Sequence, residues 1–282
     1  PPHALAHFDL SYIYFIEKKY KKAFIHFEYR TSIQEQKHKY FYLPFEHLEK
    51  QSLKNKKLLI YHEQGFGDNI QFVRFLKHKK LKNTQVSYAV QNSLNRLFKC
   101  SFPNINVLSE VKSDMDFNYD IPIMSLPYTL GMTNIKQYKR YLRVEKKDIQ
   151  QFKNEILNKK KFNIGMVWKG SATQTGDKNR SLSLSNFKTL YNDKNLKFYS
   201  LQIENKEELK DIAKIIDLGG NFKDFYDTAV AIEALDLIIT VDTAVAHLAG
   251  ALGKQCFVLH NQNVVDFRWE QNKTQSLWYK SI

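Results

Sequence analysis

Apolar residues follow two rhythms along this chain. Up to about residue 54 they recur at helical spacing; beyond that, short β-branched runs alternate with helical stretches. Leu10, Tyr14, Ala23 and Phe27 mark the opening helices, and a third helical segment runs through Tyr40, Leu43, Phe45 and Leu48. Strands are then predicted at residues 57–62 (KLLIYH), 85–90, 105–108 and 119–123, with helices over 69–77 and 94–98. The stretch 121–127 leads into a polar loop through Tyr138, and a charged helix follows over 148–160. A second set has strands at 162–168, 196–203, 217–218, 237–241 and 256–260. Its helices fall at 184–190, 206–215, 228–235 and 244–252. Such alternation predicts an α/β protein with parallel sheets.

The most informative stretch is residues 236–253, DLIITVDTAVAHLAGALG. Its apolar run suits a strand buried on both faces. Asp242 and Thr243 can cap the small, apolar helix that follows, and Gly253 stands where a C-terminal cap usually sits. A parallel strand feeding a helix leaves amides aimed into a crevice that suits a phosphate. An ordinary strand-to-helix turn has the same spacing, so spacing alone leaves both open. A second turn, Glu63-Gln64-Gly65-Phe66-Gly67-Asp68, is glycine-rich, and Gly65 and Gly67 leave room for a substrate beside it. A loop over 169–182, KGSATQTGDKNRSL, is small and basic.

Composition narrows the class. With 282 residues, 43% of them hydrophobic, the chain suits two globular domains plus a small helical piece. No window is long and apolar enough to span a bilayer, and His3, His7 and Asp9 interrupt any signal-like run. Cys100 and Cys256 lie far apart and read as buried thiols of a cytosolic protein. The formal charge of +14 comes from scattered lysines without a nucleic-acid motif. No nucleic-acid partner is therefore expected. The charge is a solvated surface or an attraction to anionic lipid heads or phosphorylated glycans.

VDTAVAHLAGALG and EQGFGDNIQF together resemble the ADP-heptose:lipopolysaccharide heptosyltransferases of glycosyltransferase family nine. The likeness is greater to relatives with tetratricopeptide repeats ahead of the transferase, and it spans roughly residues 58–278. It implies a GT-B fold, two Rossmann-like domains facing a central cleft. The expected order is a helical tetratricopeptide-like segment over 1–54, an acceptor domain over 55–158 and a nucleotide-sugar domain over 159–282. Leu10, Tyr14, Ala23 and Phe27 fit the apolar and small places of a repeat of about 34 residues. Ser11 takes the small place where two helices cross, while the late proline is absent. A plain helical cap on the transferase fits equally. The Pro1-Pro2 start and the lack of a final helix crossing back before Ile282 read as trimmed ends.

The resemblance further implies an inverting, metal-independent glycosyltransferase, cytoplasmic or peripheral at the inner face of the membrane. It would take a nucleotide-sugar donor, a glycan, lipopolysaccharide or protein acceptor, and no cofactor. Glycosyl transfer needs a base for the acceptor hydroxyl and cations or amides for the leaving diphosphate. The sequence has no DxD-type pair in a suitable loop and no His/Cys cluster of ligand spacing.

Asp68 stands where the family keeps its catalytic aspartate; as a structural residue it would cap a helix beginning at Asn69, whose terminus would lower its pKa. Glu63, before the turn, is an acceptor-side candidate or a strand-end carboxylate. The resemblance assigns Asp242, Thr243 and Ala244 to the diphosphate and sugar. His247, one turn after Thr243, donates to a phosphate or sits satisfied in the core. Lys178 and Arg180 are candidates for neutralising the leaving phosphate, the family carrying a lysine hereabouts. Gln202 ends its strand where it could read the base or ribose, and Asp227-Thr228 opens the preceding helix, as cap or ligand. Arg268, in DFRWE, is placed last among the candidates. Two other readings stay open: a nucleotide-sugar epimerase or hydrolase on the same fold, and a non-catalytic binding module. An intact Asp68 and DTAVAH argue against the last.

Overall fold

The predicted alternation is present in the computed structural model, which describes residues 3–33, 46–48, 52–112, 114–171, 180–204, 206–212, 214–261, 266–270 and 273–282. The chain divides into two units, one of Pro1–Gln137 with Asp266–Glu270, the other of Tyr138–Val265 with Gln271–Ile282.

The first unit opens with a helical hairpin, α1 (Ala4–Ile16) and α2 (Tyr20–Phe27), followed by a short 3-10 turn, Glu28–Ser32. The small residues Ser11 and Ala23 are fully buried, and Phe15 packs edge-on against Phe24 and Phe27. The third helical segment is not what residues 46–47 form. They make a strand, β1 (Glu46–His47), paired in parallel with a later strand; Tyr40, Leu43 and Phe45 lie outside the described residues. The reason is an available edge: the ladder continues through the Leu48 amide, which donates to the Asp120 carbonyl at 2.9 Å. Such edge pairing satisfies backbone groups that a lone short helix would leave open.

The rest of this unit runs β2 (Lys57–Tyr61), α3 (Phe66–Phe72), β3 (Gln85–Ala89), α4 (Asn92–Ser101), β4 (Asn106–Leu108), β5 (Tyr119–Pro122) and α5 (Leu126–Thr129). All strands are parallel, in the order β1-β5-β2-β3-β4. Leu58, Leu59 and Ile60 on central β2 have no exposed surface, as a strand covered on both faces requires.

The second unit runs α6 (Lys146–Ile156), β6 (Phe162–Val167), β7 (Leu196–Ser200), β8 (Ile215–Asp217), α7 (Phe225–Ala234), β9 (Leu237–Val241), α8 (Ala244–Leu252) and β10 (Cys256–Leu259). Its five strands among the described residues are again all parallel, in the order β10-β9-β6-β7-β8. The helix expected over 206–215 is a 3-10 turn, Glu207–Asp211, because Ile215 is drawn into strand β8 beside β7. Within 184–190 a 3-10 turn, Leu184–Phe187, forms, and a second, Leu190–Asn192, begins. Helix α7 begins earlier than Thr228: the Asp224 carboxylate accepts from the Tyr226 amide at 2.8 Å and caps it. Among the described residues no helix is long and apolar enough to cross a membrane.

Each sheet has one place where strand order reverses, between β2 and β5 in the first unit and between β6 and β9 in the second. In open parallel sheets ligands bind beyond the carboxyl ends of the strands at such a reversal. The turn after β2 carries Asp68. The turns after β6 and β9 carry the basic loop and Asp242-Thr243.

Candidate active site

The turn after β2 is built by hydrogen bonds from side chain to backbone. Asn69 has no exposed surface; its amide donates to the Glu63 and Gly65 carbonyls at 2.9 and 2.8 Å, and it accepts from the Tyr88 hydroxyl at 2.8 Å. The conformation that glycine would favour lies at Gln64, φ 56°, while Gly65 is extended at φ −82°. Helix α3 starts at Phe66, so Asp68 sits in its first turn and not at its cap. There Asp68 Oδ2 accepts the Gly65 amide at 3.1 Å, closing the turn as the far half of a capping box.

The other oxygen of Asp68 is held by Arg268. Arg268 Nη2 donates to Asp68 Oδ1 at 2.6 Å, Nη1 to Asp266 at 2.9 Å and Nε to Gln71 at 2.7 Å. The Asp68 side chain is 20% exposed. Its pKa is nevertheless raised above the ordinary 3.8, not lowered as a helix terminus alone would have it. Burial is the largest cause; Arg268 and the Gly65 amide pull the other way, and Asp266 and Glu63 add to the rise. The result is a carboxylate more basic than a solvated aspartate and fixed in orientation at both oxygens.

Glu63, by contrast, faces inward. It is 1% exposed, takes a two-pronged bond from Arg30 at 3.1 and 2.7 Å, and accepts the Met124 amide at 2.9 Å. Arg30 is itself fully buried and also donates to Ser125 at 2.8 Å. This geometry suits Glu63 to shaping the turn. Gly65 and Gly67 are half-buried, with Phe66 between them exposed.

In the second unit the strand–turn–helix motif has the predicted form. Thr243 caps α8: its hydroxyl accepts the Val245 amide at 3.3 Å and meets the Thr240 hydroxyl at 3.1 Å. Gly253 closes the helix at φ 72°, and the Lys254 amide returns to the Ala249 carbonyl. Asp242, Thr243 and Ala244 are half-buried at the turn. Arg180 comes to them, Nη1 donating to the Asp242 carbonyl at 3.1 Å. Lys178 lies outside the described residues.

Two candidates are tied up inside this unit. Gln202 is 5% exposed, accepts the Trp168 and Lys169 amides and returns a bond to the Lys169 carbonyl, so it anchors the start of the basic loop. His247 is 5% exposed with Nδ1 at 2.7 Å from the Tyr279 hydroxyl. Tyr279 in turn lies over Gly250, where an added Cβ would overlap its ring. Asp227 bonds back to the Lys223 amide at 2.9 Å, in the manner of a cap, and Thr228 is buried. The residue that sequence reasoning undervalued is Arg268. Its signal was the acid–base pair in DFRWE, an arginine two residues from an aspartate with aromatic residues on either side.

No protein-family model matches the sequence, and no curated protein matches it. Solved structures do. The chain is similar to the dodecameric iron-containing heptosyltransferase TibC, solved in complex with ADP-D-beta-D-heptose, at 11% identity and TM-score 0.57, over 77% of this chain and 61% of TibC. It is similar to the glycosyl transferase family 9 protein from Veillonella parvula at 14% identity and TM-score 0.55, over 77% of this chain and 84% of that one. It is also similar to E. coli ADP-heptose lps heptosyltransferase II at 12% identity and TM-score 0.52, over 79% and 88%. The fold is that of the heptosyltransferases. The chain spans less than two thirds of the length of TibC.

One expectation is overturned. TibC is described as iron-containing in both of its structures, so the absence of any cofactor does not stand as a property of proteins with this fold. The described residues of this chain do not fit an iron site: among them no three His, Cys, Asp or Glu side chains gather where they could hold a metal ion.

Proposed function

We propose that the chain is a glycosyltransferase moving a sugar from a nucleotide-sugar donor to a hydroxyl of a glycan, lipopolysaccharide or protein acceptor, with inversion at the transferred carbon. The observation that carries this reading is the turn between β9 and α8, where a capped helix start and the Arg180 guanidinium come together. Negative charge gathers on a leaving diphosphate, and helix amides with a cation beside them are what stabilise it. Asp242, Thr243 and Ala244 hold the diphosphate and sugar, with Arg180 and Lys178 as counter-charges. His247 and Gln202 support the turn and the loop from within.

Asp68 is the base. It takes the acceptor proton as the hydroxyl attacks the sugar carbon and the bond to the diphosphate breaks on the opposite face. The raised pKa supports that role, since a more basic carboxylate accepts the proton more readily. Gly65 and Gly67 line the acceptor side, and Glu63 keeps the turn in shape. The buried small residues Ser11 and Ala23 support reading the hairpin as a single tetratricopeptide-like unit. The fold-level likeness to ADP-heptose enzymes favours an ADP-linked donor.

Calorimetric titration with ADP-heptose, ADP, UDP, GDP and dTDP tests the reading. An ADP compound binding more tightly than the others is the expected result; no binding by any of them would overturn it.

A further inference from the structure

We infer that Arg268 is a positioning residue for the Asp68 carboxylate, and that the N-terminal helical hairpin holds Arg268 in place. The inference rests on the reading of Asp68 as the base. Three nitrogens of the guanidinium are used: Nε on Gln71, Nη1 on Asp266 and Nη2 on Asp68. Asp68 and Gln71 stand three residues apart on α3, hence on one face, so the fork grips two neighbouring positions of the helix. With Gly65 holding the second oxygen, the carboxylate plane is fixed from both sides. Take Arg268 away and a single amide remains, about which the carboxylate can turn.

The segment carrying Arg268 is in turn fastened to α1. Phe267, 3% exposed, stacks on Phe15 at 4.3 Å between ring centres and meets Tyr12 edge-on at 5.5 Å. Lys18 pairs with Glu270 at 3.1 Å. Tyr12, Phe15 and Lys18 recur every three residues, so the segment runs along the hairpin. The turn's other end is held from the same hairpin, since Arg30 follows α2 and binds Glu63. The hairpin therefore grips the 63–68 turn at both ends, directly at Glu63 and through Arg268 at Asp68. A helical piece added only for solubility or partner binding has no need of either contact.

The test uses the full chain with 13C-labelled aspartate, the Asp68 carboxyl signal being assigned by its loss in Asp68→Asn. The Asp68 signal is followed against pH in the wild type, Arg268→Gln, Arg268→Lys and Phe15→Leu. Turnover of ADP-heptose, read as ADP release, is measured on the same proteins. The expected result is an Asp68 titration moved to higher pH in Arg268→Gln, because a cation that lowers it is gone, with partial return in Arg268→Lys. The acid limb of kcat/KM moves with it, and kcat falls roughly 10- to 100-fold while KM for the donor stays put. Phe15→Leu moves the titration the same way by less. An unmoved Asp68 titration in Arg268→Gln, or one that Lys does not restore, overturns the positioning role. Full turnover in Asp68→Asn would instead remove the base assignment, and the two failures are told apart by the carboxyl signal.

Discussion

At the scale of single residues, the side chain that closes the turn before a helix is also the proposed base. Asp68 accepts the Gly65 amide through one oxygen and binds Arg268 through the other. Replacement by Asn keeps an acceptor for the Gly65 amide but removes the charge opposite a guanidinium that is only 10% exposed. Asp68→Asn should therefore lower turnover by roughly 10²–10⁴-fold and also cost about 1–3 kcal/mol of stability in a thermal melt. A variant with full activity would end the case for Asp68. In the wild type, kcat/KM should fall on acidification at a pH above the ordinary 3.8, since burial raises the carboxyl and protonation disables the base. Arg180, proposed for the donor side, donates to the Asp242 carbonyl. Arg180→Ala should weaken ADP-heptose binding by about 10-fold or more and leave the melting temperature nearly unchanged. Equal affinity by calorimetry would place Arg180 outside the site.

Elements were legible in the sequence to the extent that they depend on near neighbours. The run 237–241, its capping threonine and Gly253 all appear as read, because strand, cap and helix end are each set by residues within a few positions. Residues 46–47 and 206–215 were misread because distant strands decide them: β5 offers an edge to one and β7 draws Ile215 from the other. The site was partly legible for the same reason. Asp242, Thr243 and Asp68 fall on local turns, whereas Arg268 reaches Asp68 across 200 positions and Arg30 reaches Glu63 across 33. Such long-range ion pairs leave no periodic trace. The Arg30–Glu63 pair is fully buried, and neutralising Glu63 removes its two-pronged bond while Glu28, 2.9 Å from Arg30, still faces the guanidinium. Glu63→Gln should destabilise the chain by about 1–3 kcal/mol, measured by denaturant unfolding, and an unchanged midpoint would contradict the buried pairing.

At the scale of the whole molecule, two all-parallel sheets each present a reversal of strand order, and each candidate turn lies at the carboxyl end of a strand flanking it. The division of labour proposed for the two units can be read without any acceptor in hand. Saturating ADP should slow backbone hydrogen exchange over β9 and the first turn of α8, by a factor set by ligand concentration over its dissociation constant. The β2 strand and the 63–68 turn should exchange as before. Protection confined to the 63–68 turn would reverse the assignment of donor and acceptor sides.

The two cysteines give the chain a chemical clock. Cys256 begins β10, is 2% exposed, and has its thiol pushed far up by burial, so the nucleophilic thiolate is all but absent in the native fold. Cys100, at the end of α4, is half-exposed. In the native protein an alkylating reagent should therefore take Cys100 well before Cys256. Labelling of Cys256 then proceeds only as fast as β10 opens. Its rate, followed by intact mass, measures how often that edge strand comes away, and a bound nucleotide that steadies β9 and α8 should slow it.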